Sequence, residues 1–371
     1  MEKKSTKMAN TPQYQDLTDE QHAVLRSLRV SRMILPISIG LGVVAYLLWR
    51  QFDPKQLAQI AWTGRTWAWI GLSLVLLVLR HLAFALRMYI LSQGHFSFKK
   101  CIELIFIFEF SLSVTPTTVG GSAVSLFVMT QEKLSAARTT TIVIYKIVLD
   151  TIFFIGTFPA LFSVVGIAIL RPNITSIWDS DWRTNTFYFS YVGMMLYGLF
   201  FFYGLFINPT LIKKFLLFFT KPKFMQRFRT RTEKLGDDIV LASRDMKNLS
   251  WKQHFLAFVA TWTAWTCKFL LISALIIGIA APAMDWWREV ALYGRLQSMF
   301  IIMAFSPSPG GAGFAEAVFH PFLEDFIPSK SVALVIAFIW RLFSYYAYLA
   351  AGAVIVPNWI RNVFLKNIKE K

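Results

Sequence analysis

Long apolar runs, parted by short basic turns or by clusters of Pro and Gly, set the pattern of this chain. Ile34 to Leu48 and Thr66 to Leu79 carry no charged residue, and Phe187 to Ile207 is almost entirely apolar or aromatic. Such runs exceed the length of a buried strand and suit a membrane helix. They predict full spans at about 33–50, 66–90, 140–170, 186–207, 253–280 and 331–357. Four shorter apolar pieces, 101–115, 122–130, 290–305 (interrupted by Arg295) and one running through Phe322, are too short to cross comfortably at ~1.5 Å per residue. The first two are parted by Pro116 and Gly120-Gly121. The last two are parted by Ser306-Pro307-Ser308-Pro309-Gly310-Gly311-Ala312-Gly313.

Composition agrees with this pattern. Apolar types make up 56% of the 371 residues and charged types 16%, against about 25% charged in a soluble domain. The expected fold class is therefore all-α, a polytopic membrane helical bundle. The two cysteines, Cys101 and Cys267, sit near or inside apolar segments and read as small buried hydrophobes rather than a disulfide framework. About thirty mostly polar residues precede the first span without a cleavage site, so that span is expected to stay as an anchor.

The formal charge of +17 does not point to nucleic acid. The basic residues flank the apolar runs rather than forming one surface, which the positive-inside bias explains. Anionic membrane lipid is the expected electrostatic partner. By the same bias the N-terminal arginines, the turns at 91–100 and 131–138, the 210–252 segment and the C-terminal tail face the cytoplasm. The segment 210–252 holds eleven Lys or Arg against four acids and reads as a basic loop with a surface helix. The turns at 171–185, 281–289 and 323–330 face outward. The expected organisation is a polar cytoplasmic segment 1–30, one transmembrane domain 31–360 and a basic tail 361–371, in a multi-pass cell-membrane protein with both termini cytoplasmic.

These sides force each broken pair to enter and leave on the same face, the first from inside and the second from outside. The expectation is about six full spans plus two opposed re-entrant hairpins, a pattern that resembles an inverted repeat with discontinuous helices. The alternative is eight ordinary spans ended by Pro and Gly, which would put Glu132, Lys133, Arg138 and the basic 210–252 segment outside.

Broken backbone at membrane depth leaves amides and carbonyls that must face protein or a wet cavity. Helix starts beyond the breaks would aim amide dipoles at such a cavity, and Gly121, Ser122, Gly311 and Gly313 permit close approach of an oxygen-rich anion. Close helix packing is the competing role for these glycines. Charges inside the apolar segments add candidates: Arg80, Arg87, Glu109, Lys146, Asp150, Lys268, Arg295, Glu316 and Arg341. Lys146 and Asp150 share a helix face at i, i+4, so an internal ion pair is one reading. Arg87, Lys268 and Arg295 are placed to snorkel. Glu316 fits a helix cap as well as proton coupling. Trp262, Trp265, Trp286 and Trp287 read mostly as an interfacial belt. No catalytic, nucleotide or metal-ligand spacing is visible among the five histidines and the acids, and no cofactor is expected.

Three motifs, Pro116-x-x-x-Gly120-Gly121, Lys146-x-x-x-Asp150 and Ser308-Pro309-Gly310-Gly311-x-Gly313-x-x-Glu316, resemble the flippase-like family. That family comprises the membrane region of lysylphosphatidylglycerol synthases and their stand-alone relatives. The resemblance covers about residues 30–360. Two details depart from it: Ser122-Ala123-Val124-Ser125 stands where a base usually follows the first glycines, and Lys146 stands where arginine is common. The resemblance implies movement of lipid-linked anions across the bilayer, with polyprenyl phosphates, glycolipids and phospholipids all open as cargo. Fused members attach an amino acid to phosphatidylglycerol through a cytosolic domain, which this sequence lacks, so synthesis by it alone is not expected. An intramembrane transferase and a membrane scaffold for a lipid-modifying enzyme are the alternatives. The candidate substrate-binding set is Arg80, Pro116, Gly120, Gly121, Ser122, Lys146, Asp150, Pro309, Gly310, Gly311, Gly313, Glu316 and Arg341.

Overall fold

Short polar side chains fix where the helices begin. Thr63, Ser97, Ser135, Asp181, Ser250, Asp285 and Ser329 each stand just before a helix and accept a backbone N–H of its first turn. At Ser250 the cap is reciprocal, with Gln253 accepting the Ser250 N–H at 2.9 Å. The computed structural model describes residues 58, 60–115, 117–179, 181–222, 226, 229–304, 306, 308–311 and 313–369.

The helices are α1 (Gly64–Leu91), α2 (Phe98–Val114), α3 (Thr117–Gln131), α4 (Ala136–Val165), α5 (Trp182–Phe202), α6 (Thr210–Phe219), α7 (Arg229–Lys247), α8 (Trp251–Ile279), α9 (Trp286–Met303), α10 (Phe314–Leu323), α11 (Lys330–Arg341) and α12 (Ala347–Lys369). A π-helical turn, Leu342–Tyr346, joins α11 to α12. Five stretches are long and apolar enough to cross a membrane: Gly64–Leu91, Ala136–Ile169, Trp182–Ile207, Trp251–Ile279 and Lys330–Val363. They match five of the six spans read from the sequence; the one expected at 33–50 lies outside the described residues. The protein is an all-α, multi-pass membrane bundle. Its outer faces carry exposed Leu72, Val75 and Leu79 on α1, Val192, Leu196 and Leu199 on α5, and Phe255 and Leu256 on α8, an apolar surface that lipid covers.

α1 and α8 pack side by side through most of their length. Gly278, at the end of α8, lies against Trp69, near the start of α1, so the two run antiparallel. Each begins the same succession: a long helix, a shorter one, a break, a second short helix and a long helix.

The two broken pairs open at opposite ends of α4. For α2 and α3, Lys100 in the first turn of α2 meets Glu132, just beyond α3, at 2.6 Å. Arg138, at the start of α4, donates to the Ser92 carbonyl at 3.3 Å beside them. For α9 and α10, Arg288 donates to the Asp325 carbonyl at 3.0 Å, while Arg295 donates to the Ala168 carbonyl beyond the other end of α4. Each pair sits in its own hydrophobic core. One is built on Leu104, Ile107, Phe110, Val128 and Leu149, the other on Phe153, Phe269, Leu296, Phe319 and Trp340.

Among its described residues, the basic segment 210–252 carries the helices α6 and α7 ahead of the start of α8. α7 packs on α6 and on α4, burying Ile239 and Met246, and Lys213 pairs with Asp237 across α6 and α7 at 2.6 Å.

Candidate functional site

Charged side chains from α1, α2, α4, α8, α10 and α11 converge in the middle of the bundle. On α1, Arg80 is 5% exposed. Its Nη2 donates to Glu109 Oε1 of α2 at 2.6 Å and its Nη1 to the Tyr348 hydroxyl at 3.3 Å. The Tyr348 hydroxyl lies 3.1 Å from His81 Nδ1, and His81 Nε2 lies 3.2 Å from the Ile102 carbonyl. That carbonyl can only accept, so Nε2 carries a proton and donates to it. Both ring nitrogens are thus engaged.

Two turns along α1, Arg87 Nη1 meets Asp150 Oδ1 at 2.5 Å and Thr261 Oγ1 at 3.3 Å. The Trp265 indole N–H donates to the same Asp150 oxygen at 2.9 Å. This corrects two expectations. Asp150 pairs with Arg87 across helices rather than with Lys146 one turn earlier. Arg87 is buried and does not snorkel, because a carboxylate waits for it inside. Arg295 does not snorkel either: it is 2% exposed and held by Asp325 at 3.1 Å and by the Ala168 and Phe322 carbonyls.

The second break is a tight turn over Pro309–Gly311, with Gly310, Gly311 and Gly313 all at positive φ (56°, 69° and 80°), where glycine carries no Cβ penalty. Gly313 N–H donates to Glu316 Oε2 at 2.8 Å, so Glu316 caps α10. The other carboxylate oxygen faces Arg341 Nε at 3.0 Å. Arg341 Nη1 donates to the Gly310 carbonyl at 2.9 Å, and its guanidinium lies 4.0 Å from the centre of the Tyr345 ring. The π-helical turn begins at the next residue and brings Tyr345 beneath that guanidinium.

The two breaks approach each other. A Cβ on Gly310 would lie 3.2 Å from Ser113 Cα and 2.4 Å from the Tyr345 ring. Tyr345 also donates to the Ser113 carbonyl at 3.3 Å. Ser113 is in the last turn of α2, three residues before Pro116. Gly310 therefore serves close packing of one break on the other. Pro116 itself lies outside the described residues, as do the Ser122 side chain and the Pro309 ring. Gly120 and Gly121 lie in the first turns of α3.

Two cations remain without a carboxylate. Among the described residues, none lies within ion-pair distance of Lys146 or Lys268. Lys146 shares the α4 face of Asp150 and lies within electrostatic reach of Arg87, Asp150 and Glu109. The Lys268 ammonium sits over the faces of Trp265 and Phe300, at 4.5 and 4.4 Å from their centres, within reach of Arg80, Glu109, Asp150 and Arg341. Lys268 does not snorkel; it points into the bundle. Both lysines are enclosed by the helices yet only half-buried by surface, so they line an internal crevice. Near it Arg341 Nη2 and the Tyr346 hydroxyl are buried without a hydrogen-bond partner.

Sequence reasoning left Glu109, Arg87, Lys268, Trp265 and Tyr348 out of the candidate set. Trp286 and Trp287 are 65% and 62% exposed, as belt residues should be, whereas Trp265 is part of the charged site. Both cysteines are free and buried. Among the described residues no group of three or more His, Cys, Asp or Glu could hold a metal ion.

Comparison with known proteins follows the same lines. A family model described as the lysylphosphatidylglycerol synthase TM region matches residues 33–352. A UPF0104 membrane protein of Archaeoglobus fulgidus is 22% identical over 348 residues, covering 90% of this chain and 99% of the relative. No solved structure matches the chain significantly.

Proposed function

The chain belongs to the lysylphosphatidylglycerol synthase TM-region family, and from that premise we propose that it moves an anionic lipid or lipid-linked precursor across the bilayer rather than catalysing a reaction. The observation that carries this reading is the pair of uncompensated lysines, Lys146 and Lys268, in a crevice between two broken helix pairs. Intramembrane cations cost several kcal/mol and tend to mark a substrate path. Three arginine–carboxylate pairs, Arg80–Glu109, Arg87–Asp150 and Arg341–Glu316, hold the walls. Anionic membrane lipids are then the direct partners, and an enzyme that modifies the lipid is the expected protein partner.

The topology that goes with this reading has six full spans and two opposed re-entrant hairpins arranged as an inverted repeat, with both termini cytoplasmic. Three positional correspondences support the repeat. Arg80 lies sixteen residues into α1 and Lys268 seventeen residues into α8; Lys146 lies ten residues into α4 and Arg341 eleven residues into α11; Glu109 and Gln297 each lie eleven residues into α2 and α9. Lengths support re-entrance: α10 has 10 residues, about 15 Å of helix, half of the ~30 Å hydrocarbon core.

The test is leaflet exchange in liposomes holding the purified full chain, with fluorescent phospholipids and polyprenyl phosphates. Exchange of at least one anionic lipid above protein-free liposomes is expected, weakened by Lys146→Met and Lys268→Met. No acceleration with any anionic lipid refutes transport. A new covalent lipid product seen by mass spectrometry would replace the transport reading with a transferase.

A further inference from the structure

We propose that the central crevice is built for a doubly charged phosphate, a phosphate monoester group, in preference to the singly charged phosphodiester of an ordinary glycerophospholipid. This deepens the transport reading and rests on it.

Cations outnumber carboxylates at the centre of the bundle. Five cations, Arg80, Arg87, Lys146, Lys268 and Arg341, face three carboxylates, Glu109, Asp150 and Glu316. Each carboxylate is already within 3.0 Å of an arginine. His81 is engaged by Tyr348 and by the Ile102 carbonyl. Among the described residues, two cations are left without a carboxylate, and both are lysines. The lysines flank one element: Lys146 is one turn from Asp150, and Trp265, which donates to Asp150, lies with its ring under the Lys268 ammonium. Both lie within electrostatic reach of Glu109 and Asp150.

An arginine held by a carboxylate presents little net field to a ligand. A lysine without a partner in a low-dielectric bundle keeps its proton only where an anion reaches it. A phosphate monoester carries about −1.5 to −2 charges at pH 7 and three acceptor oxygens. Its charge matches the two lysines, and its oxygens can also serve a further donor such as the unpartnered Arg341 Nη2. A phosphodiester carries one charge and leaves one lysine uncompensated.

The experiment compares acyl-matched phosphatidic acid with phosphatidylglycerol in liposomes containing the full chain, with inorganic phosphate as the headgroup alone. Phosphatidic acid should exchange at least about tenfold faster, the ratio that ~1.4 kcal/mol of preference produces. Lys146→Met and Lys268→Met should each pull that ratio toward one, while Lys146→Arg and Lys268→Arg, which keep the charge, should preserve it. Equal rates for the two lipids, a ratio unchanged in the methionine variants, or its loss in the arginine variants overturns the inference and leaves lipid transport standing. If neither lipid exchanges, transport falls, and phosphate retention in equilibrium dialysis decides the rest. Retention that is lost in the Lys146→Met/Lys268→Met double variant supports a free dianionic phosphate as ligand; no retention overturns the inference.

Discussion

Arg87→Met should be far more damaging than Lys146→Met, although both remove one positive charge beside Asp150. Arg87 is the partner: its Nη1 lies 2.5 Å from Asp150 Oδ1, and the two side chains are 5% and 23% exposed. Breaking a buried pair by removing one member costs ~3–5 kcal/mol, because the other charge stays buried and unpaired. The lower end applies here. The Trp265 N–H remains on Asp150, and Lys146 can swing toward it at i, i+4. A loss of about 3 kcal/mol lowers the melting temperature by roughly 6 °C or more at ~2 °C per kcal/mol. Lys146→Met removes a cation with no protein counter-ion and should cost under ~1 kcal/mol, within the range of tolerated substitutions that break no pair. Arg87→Met/Asp150→Leu should recover much of the loss, with a coupling energy in the upper part of the ~0.5–3 kcal/mol range for contacting residues. Fluorescence-detected thermal unfolding in one detergent, with wild type, Arg87→Met, Lys146→Met, Asp150→Leu and the double variant in parallel, measures each term. Equal destabilisation by Arg87→Met and Lys146→Met would show that Asp150 relies on both bases, and the surplus charge assigned to Lys146 would vanish.

Three further outcomes follow from other parts of the molecule. Gly310→Ala should cost about 2–4 kcal/mol, combining overpacking against Tyr345 with left-handed strain. Gly94→Ala, at φ 74° with nothing within 4 Å, should show only the strain of ~1–2 kcal/mol; equal melting losses would refute the close approach of the breaks. In the 171–181 turn, Asp179 accepts the Thr175 N–H and hydroxyl at 2.9 Å and the Ser176 N–H at 3.1 Å, which hold its carboxyl below the usual range. A depressed folded-state pKa stabilises above the unfolded value, so amide protection at Thr175 and Ser176 should persist at neutral pH and fade as pH drops through that lowered value; protection in Asp179→Asn that matches wild type at neutral pH would refute the role. Cysteines introduced at His95 and at the 86% exposed Trp178 should react with an impermeant maleimide from opposite faces of sealed vesicles, and labelling from the same face would contradict opposed hairpins.

The helices were legible because a bilayer leaves few choices. Backbone groups in lipid must be satisfied within the segment, so an uncharged run such as Thr66 to Leu79 can only be helix, and a cluster of Pro and Gly favours a stop. The break at Pro309–Gly311 follows that rule; the first falls between Val114 and Thr117, so Gly120-Gly121, read from the sequence as part of it, lie inside α3 instead. The pairing of charges was not legible. Arg87 and Asp150 are 63 residues apart and Arg80 and Glu109 are 29 apart, and nothing in the spacing favours these pairs over Lys146 with Asp150. The i, i+4 rule ranks only partners on one helix. Which base wins depends on how α1 rotates against α4, and that is set by packing on α8.

Lys268 shows where sequence reasoning had an unused signal. It lies seventeen residues into a helix of 29, about 25 Å from its start and about 16 Å from its end at 1.5 Å per residue. A four-carbon stem cannot bring an ammonium from that depth to either interface, so snorkelling is excluded by length alone. The same count leaves Arg87 within about 6 Å of the end of α1, where snorkelling is feasible and only the carboxylate of Asp150 decides against it. Depth along the helix therefore separates a cation that must have an internal purpose from one that merely has an internal option. For Lys268 the purpose is not structural pairing, since Glu109, Asp150 and Glu316 are each held by an arginine. On the proposed reading its partner is a ligand, whose charge answers to how many such cations the described bundle leaves unpaired.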